Sequence, residues 1–305
     1  MFFIRFCVII LMITAPLNLV LGADIFPALP LEFRKKHLSE VEAQFQIRWT
    51  KVKKNKASFA PYQKKSEEAI REEFRKLQAF RRNLWYRNPE GSPHICQEDY
   101  IVDQRLLEKG LYRNLNNVAF SYSSTDGSYN ASTILIHGHH FIAMMEPLES
   151  SLLSFFKLLI NHGASILVRL KPEEEYANAG TISYWKGRLT ENQGTTFLSL
   201  DVSLPDWPVT PVKVPYFYTN EWVNDEGLEI QKFYQLVQKV RLAYQKSEHK
   251  GPIACHCAAG VGRTGTFIAA YVLADLLDRL PPHEVSIEEI FLRLSIQRPI
   301  WQGNV

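Results

Sequence analysis

The chain predicts an α/β (α+β) domain, a mixed twisted sheet flanked by helices, with a basic helical arm at its N-terminus. Three observations predict it. From about residue 94 onward, short apolar runs alternate with helical periods, the pattern of strands and helices sharing one sheet. Near the C-terminus, 251–267 runs from a short strand through a glycine-rich loop into an apolar helix. The charge is also uneven. Residues 34–87 hold sixteen Lys or Arg against six Glu, net +10, so the remainder of a chain totalling +3 carries −7. At 305 residues, 46% hydrophobic and 22% charged, the composition is that of a folded globular protein rather than a disordered or fibrous one.

The first 22 residues form a targeting segment. Arg5 gives a positive start, Phe6 to Ala15 an apolar core, and Pro16 and Asn18 a polar break before Val20-Leu21-Gly22. It reads as a signal peptide cut before Ala23 or, since Phe2–Leu21 is nearly long enough to span a bilayer, as an N-terminal anchor. Cleavage makes the chain secreted or exported, to a periplasm, lumen or extracellular space, and an uncleaved segment leaves it membrane-anchored. The arm follows over 23–93 and the main domain over 94–305. Of four cysteines, Cys7 lies in the targeting segment; Cys96, Cys255 and Cys257 are too few for a disulfide framework, which favours a functional thiol.

In the arm, 24–65 predicts one or two exposed, Lys-rich helices with a loop at Pro61. Ser66 opens a better helix, with Glu67 and Glu68 in its first turn and Ile70, Phe74, Leu77 and Leu84 on one face that should dock on the body. Asn88–Pro93 ends it. In the body, 134–136, 165–168, 196–200 and 212–218 read as strands, and 148–160, 228–244, 264–280 and 286–297 as helices. Ser286 and Glu289 make a capping box, and Pro281-Pro282 closes the helix before it. The helix at 264–280 is apolar on nearly every face and predicts a position in the middle of the domain.

The chemistry concentrates in Cys255-His-Cys-Ala-Ala-Gly-Val-Gly-Arg-Thr-Gly265. A loop ending on a helix N-terminus presents successive N–H groups to a phosphate. Gly260, Gly262 and Gly265 allow the tight backbone. Arg263 offers two parallel donors to phosphate oxygens. Cys257, facing the same concavity, suits attack as a thiolate, and Thr264 suits a hydrogen bond to its sulfur. Gly260-x-Gly262-x-x-Gly265 also fits a dinucleotide fingerprint, but the acidic residue expected about 20 positions on is missing. Cys255-His-Cys257 fits no common zinc spacing, which leaves Cys255 as a buried strand residue. His137-Gly-His-His140 lacks the cysteines or carboxylates of a metal site. Asn130-Ala-Ser132 is a glycosylation sequon.

The loop resembles the signature of the protein tyrosine phosphatases, His-Cys-x-x-Gly-x-Gly-Arg-Ser/Thr-Gly, and the resemblance extends over about 100–305. Tyr129-Asn-Ala-Ser-Thr-Ile134, Phe141-Ile-Ala with Pro147-Leu, Phe155-Phe156 and Tyr184-Trp185 are similar to further family blocks. The resemblance implies that Glu175 pairs with Arg263, that His256 supports the loop, and that Gln302, four after Arg298, positions a water. It implies phosphate binding by Ala258, Ala259, Gly260, Val261, Gly262 and Thr264, and an Asp that protonates the leaving oxygen. Asp225, in Tyr216–Gly227, keeps the family's Tyr-Thr, Trp and Asp-x-Gly but not its proline; Asp206, in Leu204-Pro-Asp206, keeps Pro-Asp. Asp225 is favoured by register.

Arg113-Asn-Leu-Asn-Asn-Val118 stands where the family has a substrate-stacking Tyr, replaced here by Leu115. The implied function is hydrolysis of phosphotyrosine in proteins. The alternatives are a secreted inositol-polyphosphate phosphatase of the same mechanism, or a catalytically weak phospho-binding module. No metal, organic cofactor or nucleic acid is expected, and the basic arm offers a surface for anionic membrane or an acidic partner.

Overall fold

The computed structural model describes residues 31–56, 58–61, 66–85, 129–177, 182–200, 212–223 and 227–298. The expected boundaries after 22 and 93 lie outside these residues. Among them run seven strands: β1 (Ala131–Ile136), β2 (His139–Met144), β3 (Ile166–Arg169), β4 (Leu189–Asn192), β5 (Thr195–Leu200), β6 (Val212–Tyr218) and β7 (Ile253–His256). The helices are α1 (Leu31–Asn55), α2 (Glu67–Trp85), α3 (Leu152–Asn161), α4 (Ile230–Lys246), α5 (Gly262–Arg279) and α6 (Ile287–Gln297).

The strands form one mixed sheet in the order β1-β2-β7-β3-β6-β5-β4. The centre, β2-β7-β3-β6, is parallel and both flanks are antiparallel. β3 and β7 are buried along their whole length, which is why 165–168 reads as a continuous apolar run. Alternate residues feed two cores. Ile142, Met144, Leu167 and Ala254 face α3, while Phe141, Ala143, Ile166, Val168 and Cys255 face α4, α5 and α6. This is the mixed sheet covered by helices on both sides that the sequence predicts.

Two strands escaped the sequence reading. β4 is exposed along its length and carries no apolar period; only its pairing with β5 makes it a strand. β2 begins with two histidines and is joined to β1 through His137-Gly138, whose φ values of 47° and 81° make the mirror-image turn that suits strand twist. α5 is less enclosed than expected. Phe267, Ile268, Tyr271, Val272 and Leu276 are buried, but Ala269, Ala270, Leu273 and Ala274 are half-buried and Thr266, Asp278 and Arg279 exposed. At α6, Ser286 Oγ accepts the Glu289 N–H at 3.2 Å, while the Glu289 carboxylate takes Arg293 Nε at 2.7 Å.

α1 departs from the exposed helix expected there. Its Val41, Phe45, Arg48, Trp49 and Val52 are buried. Phe45, Trp49 and Val52 pack with Leu77 of α2 against Leu292 and Ile296 of α6. Arg48 Nη1 donates to the Ile296 carbonyl at 2.8 Å, and the Arg293 guanidinium stacks 4.5 Å over Trp49. Lys56 pairs with Glu288 at 2.7 Å. α2 docks more lightly than expected: Leu77 is buried and Phe74 meets Phe291 edge-on, but Phe74 is 49% exposed and Ile70 54%. The side chain of Leu84 lies outside the described residues. No helix among the described residues is long and apolar enough to cross a membrane.

Candidate active site

β7 ends at His256 in the middle of the sheet, and the chain enters α5 at Gly262 after a five-residue loop, Cys257–Val261. The loop is held from outside by its carbonyls. The His256 carbonyl accepts from Leu170 N at 2.8 Å and the Ala258 carbonyl from Glu146 N at 3.0 Å. The Ala259 and Gly260 carbonyls accept from the Arg298 guanidinium at 3.0 and 2.8 Å. With these carbonyls engaged on the outside, the peptide N–H groups between them are left for the inner side of the loop, the arrangement that suits an anion at a helix N-terminus. Gly260 is required here twice over. Its φ is +70°, and an added Cβ would lie 2.0 Å from the Met144 carbonyl oxygen.

Cys257 is 3% exposed and packs in the α5-side core. Arg263, in the first turn of α5, donates from Nη1 and Nη2 to the two Glu175 oxygens at 2.9 and 2.8 Å, and from Nη1 to the Trp222 carbonyl at 2.7 Å. Burial acts to lower the guanidinium's pKa, but Glu175 and Cys257 outweigh it and hold the group above its ordinary value. The expected Glu175–Arg263 pair is therefore formed. Thr264 Oγ1 is buried and has no hydrogen-bond partner among the described residues, so the expected bond to the sulfur is not made.

His256 is fully buried. Tyr184 Oη lies 2.6 Å from its Nε2 and the Cys257 carbonyl 3.4 Å from its Nδ1. Since a carbonyl only accepts, this arrangement puts the proton on Nδ1 and makes Tyr184 the donor to Nε2. Burial first, and the nearby Arg169 next, push the His256 pKa down to about 3, so the ring is neutral at physiological pH. Cys255 is also fully buried, and burial pushes its thiol far above the ordinary range; it is a packing residue, as the sequence suggests.

Several residues around the loop were not singled out from sequence. Arg169, 1% exposed, donates to Tyr216 Oη, the Lys171 carbonyl and Asn220 Oδ1 and stacks 4.0 Å over Trp185. Glu146 and Lys171 form a buried ion pair. Asn130 and Ser132 accept from Arg298 at 2.9 and 3.1 Å, which gives the sequon a structural role. The signal for Arg169 and Lys171 was only their place at the end of an apolar strand, where a charge has no default reason to be buried. His139 pairs with Asp275 at 2.8 Å, and no group of three or more potential metal ligands occurs among the described residues. Asp225, Asp206, Gln302 and Leu115 lie outside the described residues.

Residues 192–301 match the family model described as protein-tyrosine phosphatase. The chain is 27% identical over 198 residues, 58% of its length, to the human receptor-type tyrosine-protein phosphatase eta, covering 14% of that protein. It is 27% identical over 158 residues to tyrosine-protein phosphatase 2 of Dictyostelium discoideum, 47% of this chain and 40% of that one. Tyrosine-protein phosphatase 2 of Schizosaccharomyces pombe matches at 25% over 179 residues, 52% of this chain and 25% of that protein. The chain thus spans less than half the length of each of these relatives.

Proposed function

We propose that this chain, which over residues 192–301 belongs to the protein-tyrosine phosphatase family, hydrolyses phosphotyrosine in proteins through a cysteinyl-phosphate intermediate. The observation that carries the reading is the Arg263–Glu175 fork beside the Cys257 loop. Glu175 takes the Nη1/Nη2 end of the guanidinium, so a phosphate would meet the other, Nε/Nη2, edge, which also presents two parallel donors. The Cys257 thiolate attacks phosphorus as the bond to the leaving oxygen breaks, and the loop amides and Arg263 take up the charge on the other three oxygens. Asp225 protonates the leaving oxygen. It then takes a proton from a water, positioned by Gln302, that displaces the sulfur and releases inorganic phosphate.

Support for Asp225 over Asp206 comes from Trp222, three residues earlier, whose carbonyl is bonded to Arg263. Export is part of the proposal and rests on the first 22 residues alone; N-terminal sequencing of the mature protein tests it.

The assay is turnover of phosphotyrosine peptides, phosphoserine peptides and inositol hexakisphosphate by the wild type and by Cys257→Ser, Asp225→Ala and Asp206→Ala. Phosphotyrosine turnover should vanish in Cys257→Ser and fall about 100-fold in Asp225→Ala. Preferred turnover of inositol hexakisphosphate would move the chain to the inositol-polyphosphate class. A folded wild type that binds phosphate but turns over nothing would leave only a phospho-binding module.

A further inference from the structure

Two of the most deeply buried charges have no part in the reaction just described. Glu146 stands just beyond β2 and Lys171 just beyond β3. Lys171 Nζ donates to both Glu146 oxygens, at 2.8 and 2.6 Å, with the side chains only 5% and 8% exposed. Strand register places them. β7 runs between β2 and β3, and both Met144 and Arg169 lie opposite His256. Two residues further along each chain come Glu146, Lys171 and, between them, Ala258, whose carbonyl accepts the Glu146 N–H at 3.0 Å. The ion pair therefore closes across the start of the phosphate loop.

A buried ion pair is a weak source of stability, because desolvation of two charges cancels most of their attraction and a pair of apolar side chains would pack as well. Its distinctive property is that each half answers the other's charge. The charged groups around it belong to the site. Glu146 feels burial first, which raises its pKa, then Lys171, then Arg263 and Glu175. Tyr129, whose hydroxyl donates to the Met145 carbonyl, also faces it. His256, on the far side of the same loop start, feels Arg169, Lys171 and Arg263.

We propose that Glu146 and Lys171 form a positioning clasp, which fixes the Cys257–Ala258 end of the phosphate loop and keeps the floor of the anion site electrically neutral. The proposal rests on the reading of Cys257 as the thiol of a phosphate site. The positive excess that draws a phosphate and favours a thiolate then comes from Arg263 and the loop amides, and each half of the clasp would disturb it in the opposite sense if left alone.

The test compares wild type with Glu146→Gln, Lys171→Met, the double variant and Lys171→Arg. Two readouts apply: the pH midpoint of Cys257 alkylation by neutral iodoacetamide, and the affinity for inorganic phosphate by calorimetry. Glu146→Gln keeps the side-chain shape and the backbone bond but leaves Lys171 uncompensated. Its midpoint should fall by about one pH unit and phosphate should bind about tenfold tighter. Lys171→Met leaves the carboxylate, and both readouts should move about as far the other way. The double variant and the rescuing Lys171→Arg should return towards wild type.

Shifts of the same sign in the two single variants, or unmoved midpoints, would overturn the clasp and reduce the pair to packing. Should Lys171→Met not fold, Glu146→Gln against the double variant decides. Phosphate affinities that follow these shifts in a protein without turnover would sink the catalytic reading and leave the clasp standing.

Discussion

One methyl group added at Gly260 probes the loop geometry with little else disturbed. In Gly260→Ala the new Cβ would lie 2.0 Å from the Met144 carbonyl oxygen, 2.2 Å from its carbon and 2.7 Å from Met145 N. All three are backbone atoms at the end of β2, so no rotamer change relieves the overlap, and relief requires the loop to move by about 1 Å from the sheet. The left-handed φ of +70° adds about 1–2 kcal/mol for a residue with a side chain. Charge-assisted bonds to a phosphate work at about 2.7–2.9 Å, and a displacement of about 1 Å costs about 100-fold in rate. Gly138→Ala supplies the contrast, since its φ is +81° but an added Cβ meets nothing within 4 Å. We expect kcat/KM on p-nitrophenyl phosphate to drop at least about 100-fold in Gly260→Ala, and to stay within about threefold in Gly138→Ala, both folded by urea titration. A Gly260→Ala enzyme within about threefold of wild type would refute the claim that this close approach sets the loop.

Glu175→Gln should lower kcat/KM by about 10–100-fold with little change in urea midpoint, because it removes the charge that orients the Arg263 fork; a loss confined to stability would contradict this. Protonation of His256 gives a pH dependence. Its folded pKa of about 3 lies below the ordinary histidine value of 6.5, so below pH 6.5 the unfolded chain takes up a proton that the folded chain refuses. Stability should therefore fall by on the order of 2 kcal/mol between pH 7 and 4.5, and His256→Asn should lack that part of the slope in urea titrations at the two pH values. Trp49→Ala should destabilise by about 3 kcal/mol, since the ring is buried between Phe45, Phe59 and Arg293. A loss under about 0.5 kcal/mol would mean that α1 is the surface helix its lysines suggest.

The elements legible in the sequence were those whose period matched their burial. β3, β5, β6 and α4 announced themselves through apolar runs or faces, and β7 with its loop through the glycines and Arg263. The docking of α1 carried a signal as well, since Val41, Phe45, Trp49 and Val52 recur every three or four residues. The lysines interleaved among them hid it, because a charge-rich helix reads as solvated by default. β4 had no signal, because it is ordered only by backbone pairing. The Arg263–Glu175 contact was legible only through resemblance. The burial of Arg48 and Glu146 was not legible, and that of Arg169 and Lys171 only from their place at the end of an apolar strand, since whether a charge finds a buried partner depends on residues far away in the chain.

The sheet order also bears on how the protein is made. β7 occupies the gap between β2 and β3, and pairs Ile253 with Phe141 on one side and Ile166 on the other. Until 253–256 has been synthesised, both neighbours expose an open, largely apolar ladder edge, the kind that recruits other chains. The strand that closes the sheet is thus also the one that delivers Cys257 to its place. A nascent or truncated chain would be both prone to aggregate and chemically silent, and folding should be slow for the molecule's size.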